Sequence, residues 1–178
     1  MKELKQFPTT DYNKGPQKYY FLSIAKNIVE IANLENSEKT ILDFGCGNKI
    51  FSKILTKKKI LNYDVKPEFS EVSNFENLKF DIVIFNHVLM YMTPSEIEEI
   101  LNKIQKINPE CELILGLSRQ NFLSKIGMFL TFNFDAHKKT KSSYKEQLEK
   151  FKKKKILIKN KLKIFGITDI FYSKFKND

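Results

Sequence analysis

The sequence predicts an α/β fold, a mostly parallel sheet flanked by helices and finished by a C-terminal antiparallel edge pair. Three observations predict it. Short apolar runs of strand length alternate with stretches of helical periodicity, the order that builds a parallel sheet with crossover helices. The first run, Ile41-Leu42-Asp43-Phe44, passes directly into Gly45-Cys46-Gly47, a sharp turn from strand to helix. The last two runs, 156–165 and 167–175, alternate with a period of two on either side of Gly166.

Taken in order, residues 1–15 are polar without a period and read as an arm. After Pro16, the residues Tyr20, Phe21, Ile24, Ala25, Ile28, Val29 and Ala32 keep the spacing of one helix face. The opening strand is followed by a helix within 48–56 that places Phe51, Ile54 and Leu55 on one side. A second strand over 60–64 ends in Asp64, and a short strand is expected at 71–74. Asp81-Ile82-Val83-Ile84-Phe85-Asn86 is the strongest strand signal of the chain. Thr93-Pro94-Ser95-Glu96 is a helix start, with a capping hydroxyl, a first-position proline and a capping-box glutamate. The helix it opens aligns Ile97, Ile100, Leu101 and Ile104. A further strand covers 111–117, and helices over 119–132 and 142–152 are joined by a loop at 133–140.

A length of 178 residues suits one domain, 1–178, with a sizeable core. The arm and first helix occupy 1–39, and the helical stretch 119–154 stands as an insertion before the edge pair. Hydrophobic content of 42% and charged content of 29% are those of a soluble globular protein. The apolar runs are too short to cross a bilayer, and the N-terminus lacks the apolar stretch of a secretory signal, so a cytoplasmic location is expected. Two cysteines with no CxxC or Cys/His cluster argue against a disulfide framework and against a metal site. The net charge of +10 allows a polyanion partner, with Lys152 to Lys155 the densest cluster. Arg119 is the only arginine, however, and recognition of phosphates and base edges draws on arginine's planar fork. Nucleic acid is therefore not the favoured partner.

Ligands of parallel sheets sit at the carboxyl ends of the strands. The chemistry-bearing residues there are Asp43, Gly45, Gly47, Asp64, Asn74 and Asn86. Gly45 and Gly47 let a ligand approach the backbone, and Asp64, closing the next strand, can accept hydrogen bonds from both hydroxyls of a ribose. A dinucleotide fingerprint would carry a third glycine where Ile50 stands, and the Gly-Lys-Ser/Thr of a phosphate-binding loop is absent. An adenosine without phosphates fits better. Asp43 is placed to face a cationic group such as the amino group of a methionine moiety.

The run from Ile41 to Asn48, the pair Tyr63-Asp64 and the strand 80–89 together resemble, in order and spacing, the class I S-adenosylmethionine-dependent methyltransferases. The resemblance runs from about Ile41 to Ser118 and is nearest to the small-molecule, methyltransferase-11-like branch. It implies a Rossmann-like sandwich, S-adenosylmethionine as cofactor, and a small-molecule or lipid-like acceptor. It places Asn74 and Phe75 at the adenine, Asn86 among the cofactor-binding residues, His87 to Leu89 beside the methyl group, and the acceptor site in the 119–154 insertion. Two departures stand out: Lys49 occupies a position where the family commonly has glycine, and the segment between Asp64 and Asp81 is short.

Transfer to a hydroxyl, acidic carbon or ammonium needs a base, for which the chain offers two histidines. His87 follows the strongest strand, and His137 lies in a polar loop where Asp135 can orient its imidazole. Packing or a simple hydrogen bond competes with the catalytic role in both cases. Tyr91, four residues beyond His87, is read mainly as a packing residue. The apolar stretch Phe122, Leu123, Ile126, Phe129, Leu130, Phe132 and Phe134 reads by default as a core helix. Were it exposed, a lipid-like acceptor and peripheral docking on an anionic membrane through nearby lysines would follow. An RNA methyltransferase, motivated by charge, and a non-catalytic scaffold of the cofactor fold, motivated by Lys49, are the competing readings.

Overall fold

Four strands form the parallel part of the sheet: β1 (Ile41–Phe44), β2 (Ile60–Tyr63), β3 (Ile82–Asn86) and β4 (Glu112–Ser118). In the computed structural model, which describes residues 15–130 and 140–176, they pair in parallel, with Asp43 opposite Asn62 on one side and Ile84 on the other. The chain then returns through β5 (Ile156–Ile164) and β6 (Thr168–Phe175), both antiparallel to their neighbours. The sheet order is β2-β1-β3-β4-β6-β5, so β6 lies inside the sheet, and β5 and β2 form its two edges. The expected strand at 71–74 does not form. That polar segment is spent on local bonds instead: Glu71 N–H reaches Asn62 O at 2.9 Å and Ser70 Oγ reaches Val72 O at 2.6 Å.

Alternation along each strand divides the core. Leu42, Phe44, Val83, Phe85, Leu113 and Leu115 face one layer, where α3 (Pro94–Ile107) and α5 (Tyr144–Lys153) supply Leu101, Ile104 and Phe151. Ile41, Ile82, Ile84 and Ile114 face the other, against α1 (Gly15–Ile31) and α2 (Ile50–Ile54). The predicted face of α1 is the buried one, with Ile24, Ala25 and Ile28 fully covered. Asp43 shares the side of Ile41 by strand parity, which carries a carboxylate into an apolar layer at the very end of β1.

Helix α3 begins where its capping box placed it: Thr93 Oγ1 accepts from Glu96 N–H at 3.3 Å, and the Glu96 carboxylate accepts from Thr93 N–H at 2.7 Å. Thr93→Ala should cost about 1 kcal/mol. In a chain of this size that lowers the thermal midpoint by ~2–4 °C, which calorimetric melting would check. Helix α5 has the same device in Ser143 and Glu146, a signal legible in Ser143-Tyr144-Lys145-Glu146. Its lysines turn to α3, where Lys150 and Lys153 both hold Glu98, at 2.6 and 3.2 Å. Part of the densest lysine cluster is thus tied to a neighbouring helix.

Helix α4 (Phe122–Leu130) corrects the sequence reading. Its first turns were expected to be core, yet Phe122, Leu123 and Ile126 are exposed. Residues 131–139, with Phe132, Phe134, Asp135 and His137, lie outside the described residues, as does the arm 1–14. Among the described residues no helix is long and apolar enough to cross a membrane.

Candidate functional site

The two carboxyl ends on which the sequence argument turns are hydrogen-bonded neighbours. Gly45 N–H and Cys46 N–H both donate to Tyr63 O, at 2.8 and 3.1 Å, which folds the glycine turn against the end of β2. Asp64 then ties the two loops together: Oδ2 accepts from Gly47 N–H and Oδ1 from Lys66 N–H, each at 3.0 Å. Its own N–H donates to Ser70 Oγ at 3.0 Å. A carboxylate oxygen has two acceptor positions, so both oxygens of half-buried Asp64 retain capacity for a ligand's hydroxyls.

Glycine is required at the turn. Gly45 has φ +76° and Gly47 φ +45°, and a Cβ at Gly45 would stand 2.4 Å from Val88 Cγ2. Lys49, at φ +54°, is a left-handed residue immediately before α2. Its amine turns to Glu71 Oε1 at 2.8 Å, and Glu71 in turn accepts from Asn62 at 2.7 Å. Lys49 therefore braces the loop.

Beyond the turn opens a cavity of about 970 Å³, lined by Asp43, Gly45, Gly47, Asp64, Asn74, Phe75, Asn86 and His87 among others. This lies at the upper end of the ~300–1,000 Å³ range of small-molecule sites. Eight of the nine residues expected at the site thus share one wall; the ninth, His137, lies outside the described residues. Two buried polar atoms of residues that line it have no hydrogen-bond partner among the described residues, Asp43 Oδ2 and Asn86 Oδ1. Burial, and secondarily the Asp64 carboxylate, push the Asp43 carboxyl up from 3.8 to about 7. Asn86 fits only because its β4 neighbour is Gly116, where a Cβ would lie 2.6 Å from Asn86 Oδ1.

The aromatic end of the cavity is rigid. Phe75 is buried against Phe44 and Tyr63, with ring centroids 5.2 Å apart in both pairs. Asn74 is exposed, and its Oδ1 accepts from Glu76 N–H at 2.8 Å. Cys46 is buried, its Sγ against Phe69 O at 3.4 Å, and burial followed by Asp43 and Asp64 pushes its thiol up to about 12, so it is no nucleophile.

His87 sits at φ +57°, an uncommon conformation for this residue type that points to a positional demand. Its Nε2 lies 3.0 Å from Thr168 Oγ1, which lies 2.6 Å from Tyr20 Oη. The rings of Phe21 and Tyr20 meet it edge to face at 5.6 and 6.3 Å. Sequence reasoning did not find Thr168 or this role for Tyr20, since the bonds span 81 and 148 residues. Tyr91 lines the same cavity from a single 3₁₀ turn at Leu89–Tyr91. Arg119 is committed elsewhere: it grips fully buried Asp169 with two bonds, at 3.0 and 2.8 Å, and Tyr144 Oη donates to the same carboxylate. Among the described residues no group of three or more His, Cys, Asp or Glu is placed to hold a metal ion.

Comparison with known proteins agrees with this geometry. Residues 17–149 match the family model described as a methyltransferase domain. No curated protein matches the sequence. Among solved structures, the magnesium protoporphyrin IX methyltransferase of Synechocystis PCC 6803 with bound S-adenosylhomocysteine superposes with a TM-score of 0.68 at 14% identity, covering 93% of this chain and 91% of that one. A protein of Pyrococcus horikoshii OT3 gives the same TM-score and identity and covers 96% of both chains. The 1,6-didemethyltoxoflavin-N1-methyltransferase of Burkholderia thailandensis gives 0.64 at 13% identity, over 93% of this chain and 84% of that one. At such identities the likeness is one of fold.

Proposed function

The chain belongs to the methyltransferase-domain family, and we propose that it uses S-adenosylmethionine to methylate a small or lipid-like acceptor. The observation that carries this reading is the pair of carboxylates at the glycine turn: buried Asp43 with an unpartnered oxygen, and Asp64 bridging the two loops. The donor set fits the cofactor. A cationic amine would satisfy the Asp43 oxygen, and Asp64 would accept from the two ribose hydroxyls. Phe75, with Asn74 beside it, offers an apolar wall for the adenine. Bound there, the cofactor supplies a methyl group on a sulfonium, already activated for in-line displacement.

The chain's own task is alignment, desolvation and handling one proton. The apolar wall of Phe44, Phe75 and Val88 excludes water. His87, held by Thr168, is the base we assign to the acceptor's proton, and the segment 119–154 and the helix of 1–39 are the elements we assign to acceptor binding and cover. The lysine at the third-glycine position does not argue for a dead scaffold, because its amine is engaged by Glu71 outside the turn.

Calorimetry with S-adenosylhomocysteine tests the reading, with micromolar binding expected; no heat at millimolar ligand would refute it. In a screen of apolar hydroxyl acceptors with a labelled methyl donor, His87→Ala should slow turnover by about 10²-fold. Its affinity for S-adenosylhomocysteine should stay near wild type. His137→Ala run in parallel assigns the base, and equal turnover in both variants and wild type removes it from the mechanism.

A further inference from the structure

Helix α4 and the β5–β6 turn form an apolar corner on the outside of the molecule. Phe122 is 75% exposed, Phe165 66%, Leu123 49% and Ile126 40%. These residues belong to one surface. Asn121 Nδ2 donates to Gly166 O at 2.9 Å, and Leu123 lies against Gly166, where a Cβ would meet its Cδ1 at 2.9 Å. Phe165 packs on Tyr20 of α1 at 6.2 Å, and the Tyr20 ring also meets Phe21 and His87. One layer of rings therefore separates this corner from the wall of the cavity.

The charge around the corner is one-sided. The segments that meet there, 15–29, 113–130 and 156–168, contain no aspartate or glutamate, although the chain has 21. They contain lysines, and Lys125 and Lys163 stand exposed beside the rings. A second copy of this chain would bring the same cations against them, so self-association is disfavoured. Apolar rings surrounded by lysines without acids match an anionic phospholipid surface, where the rings enter the boundary between headgroups and acyl chains and the ammonium groups meet phosphate.

We propose that this corner docks the protein on anionic membranes, with Phe122 and Phe165 as the inserted side chains. Docking does not depend on the methyl-transfer reading. It would bring the wall at His87 close to acyl chains and so favour lipid-borne acceptors.

Sedimentation with phosphatidylcholine vesicles, with and without phosphatidylglycerol, tests it. The wild-type protein should partition about tenfold more strongly onto the anionic vesicles, and raised salt should weaken that binding. The double variant Phe122→Ser/Phe165→Ser should lose about tenfold of it, as apolar insertion is removed. Lys125→Glu/Lys163→Glu should lose it as well, with no core side chain altered. Circular dichroism and thermal melting, measured on the same preparations, should match wild type in both variants and show that they fold. Absence of wild-type binding, equal binding to neutral and anionic vesicles, or wild-type binding by the variants would each overturn the proposal. So would a dimer in gel filtration that Phe122→Ser/Phe165→Ser converts to a monomer while vesicles capture neither.

Discussion

Asp64→Ala should weaken binding of S-adenosylhomocysteine by more than tenfold. The carboxylate has two duties, and the substitution removes both. In the proposed role as a ligand group it would accept from ribose hydroxyls, and hydrogen bonds to a charged acceptor contribute about 1.5–3 kcal/mol, where 1.4 kcal/mol is a factor of ten. As a structural group it fixes Gly47 N–H and Lys66 N–H, so its loss also frees the two loops that shape the site. Asp64→Asn separates the duties: one amide oxygen can still hold one loop, and its affinity should fall between those of wild type and alanine. Calorimetry measures all three, and an unchanged affinity in Asp64→Ala would remove the residue from the site.

Affinity for the cofactor should also fall as the solution is acidified through neutrality. Free Asp43 holds its proton up to about pH 7, because burial, then Asp64, disfavour its charge. A cationic amine requires the ionised form. Below pH 7 part of the binding energy is therefore spent removing that proton, and affinity drops by up to about tenfold per pH unit. Above pH 7 it levels off. In the unliganded protein the sign is opposite: between about 3.8 and 7 the folded state keeps a proton that the unfolded chain has released, so stability falls as pH rises through that window. Calorimetry in buffers of different ionisation enthalpy should register proton release on binding near pH 6. Asp43→Asn should bind weakly, without that release, and with a flat pH profile. A wild-type affinity constant from pH 5.5 to 8 would show that Asp43 does not meet the cation.

Those two carboxylates were legible in the sequence because strand ends are local features. A run of apolar residues, a glycine turn and a terminal acid lie within a few positions of each other, and parallel pairing of β1 with β2 does the rest. Asn86 was legible for the same reason. Thr168 was not, since nothing near it in the chain says that β6 will slide between β4 and β5 and bring its hydroxyl to His87. Helix α4 misled in a different way. Its periodicity reports an apolar face but not what that face meets, and here it meets the outside. The strand anticipated at 71–74 failed because Ser70, Glu71 and Asn62 satisfy one another locally, leaving no ladder to extend.

The insertion of β6 between β4 and β5 divides the supports of the site between two parts of the sheet. The parallel strands β1 and β2 carry Asp43, Asp64 and the glycine turn. The hydroxyl that steadies His87 and the acid that anchors Arg119 and Tyr144 both stand on β6. Loss of β6 would part β4 from β5 and take the Thr168 hydroxyl from the imidazole, while the carboxylates at the glycine turn would keep their places on β1 and after β2.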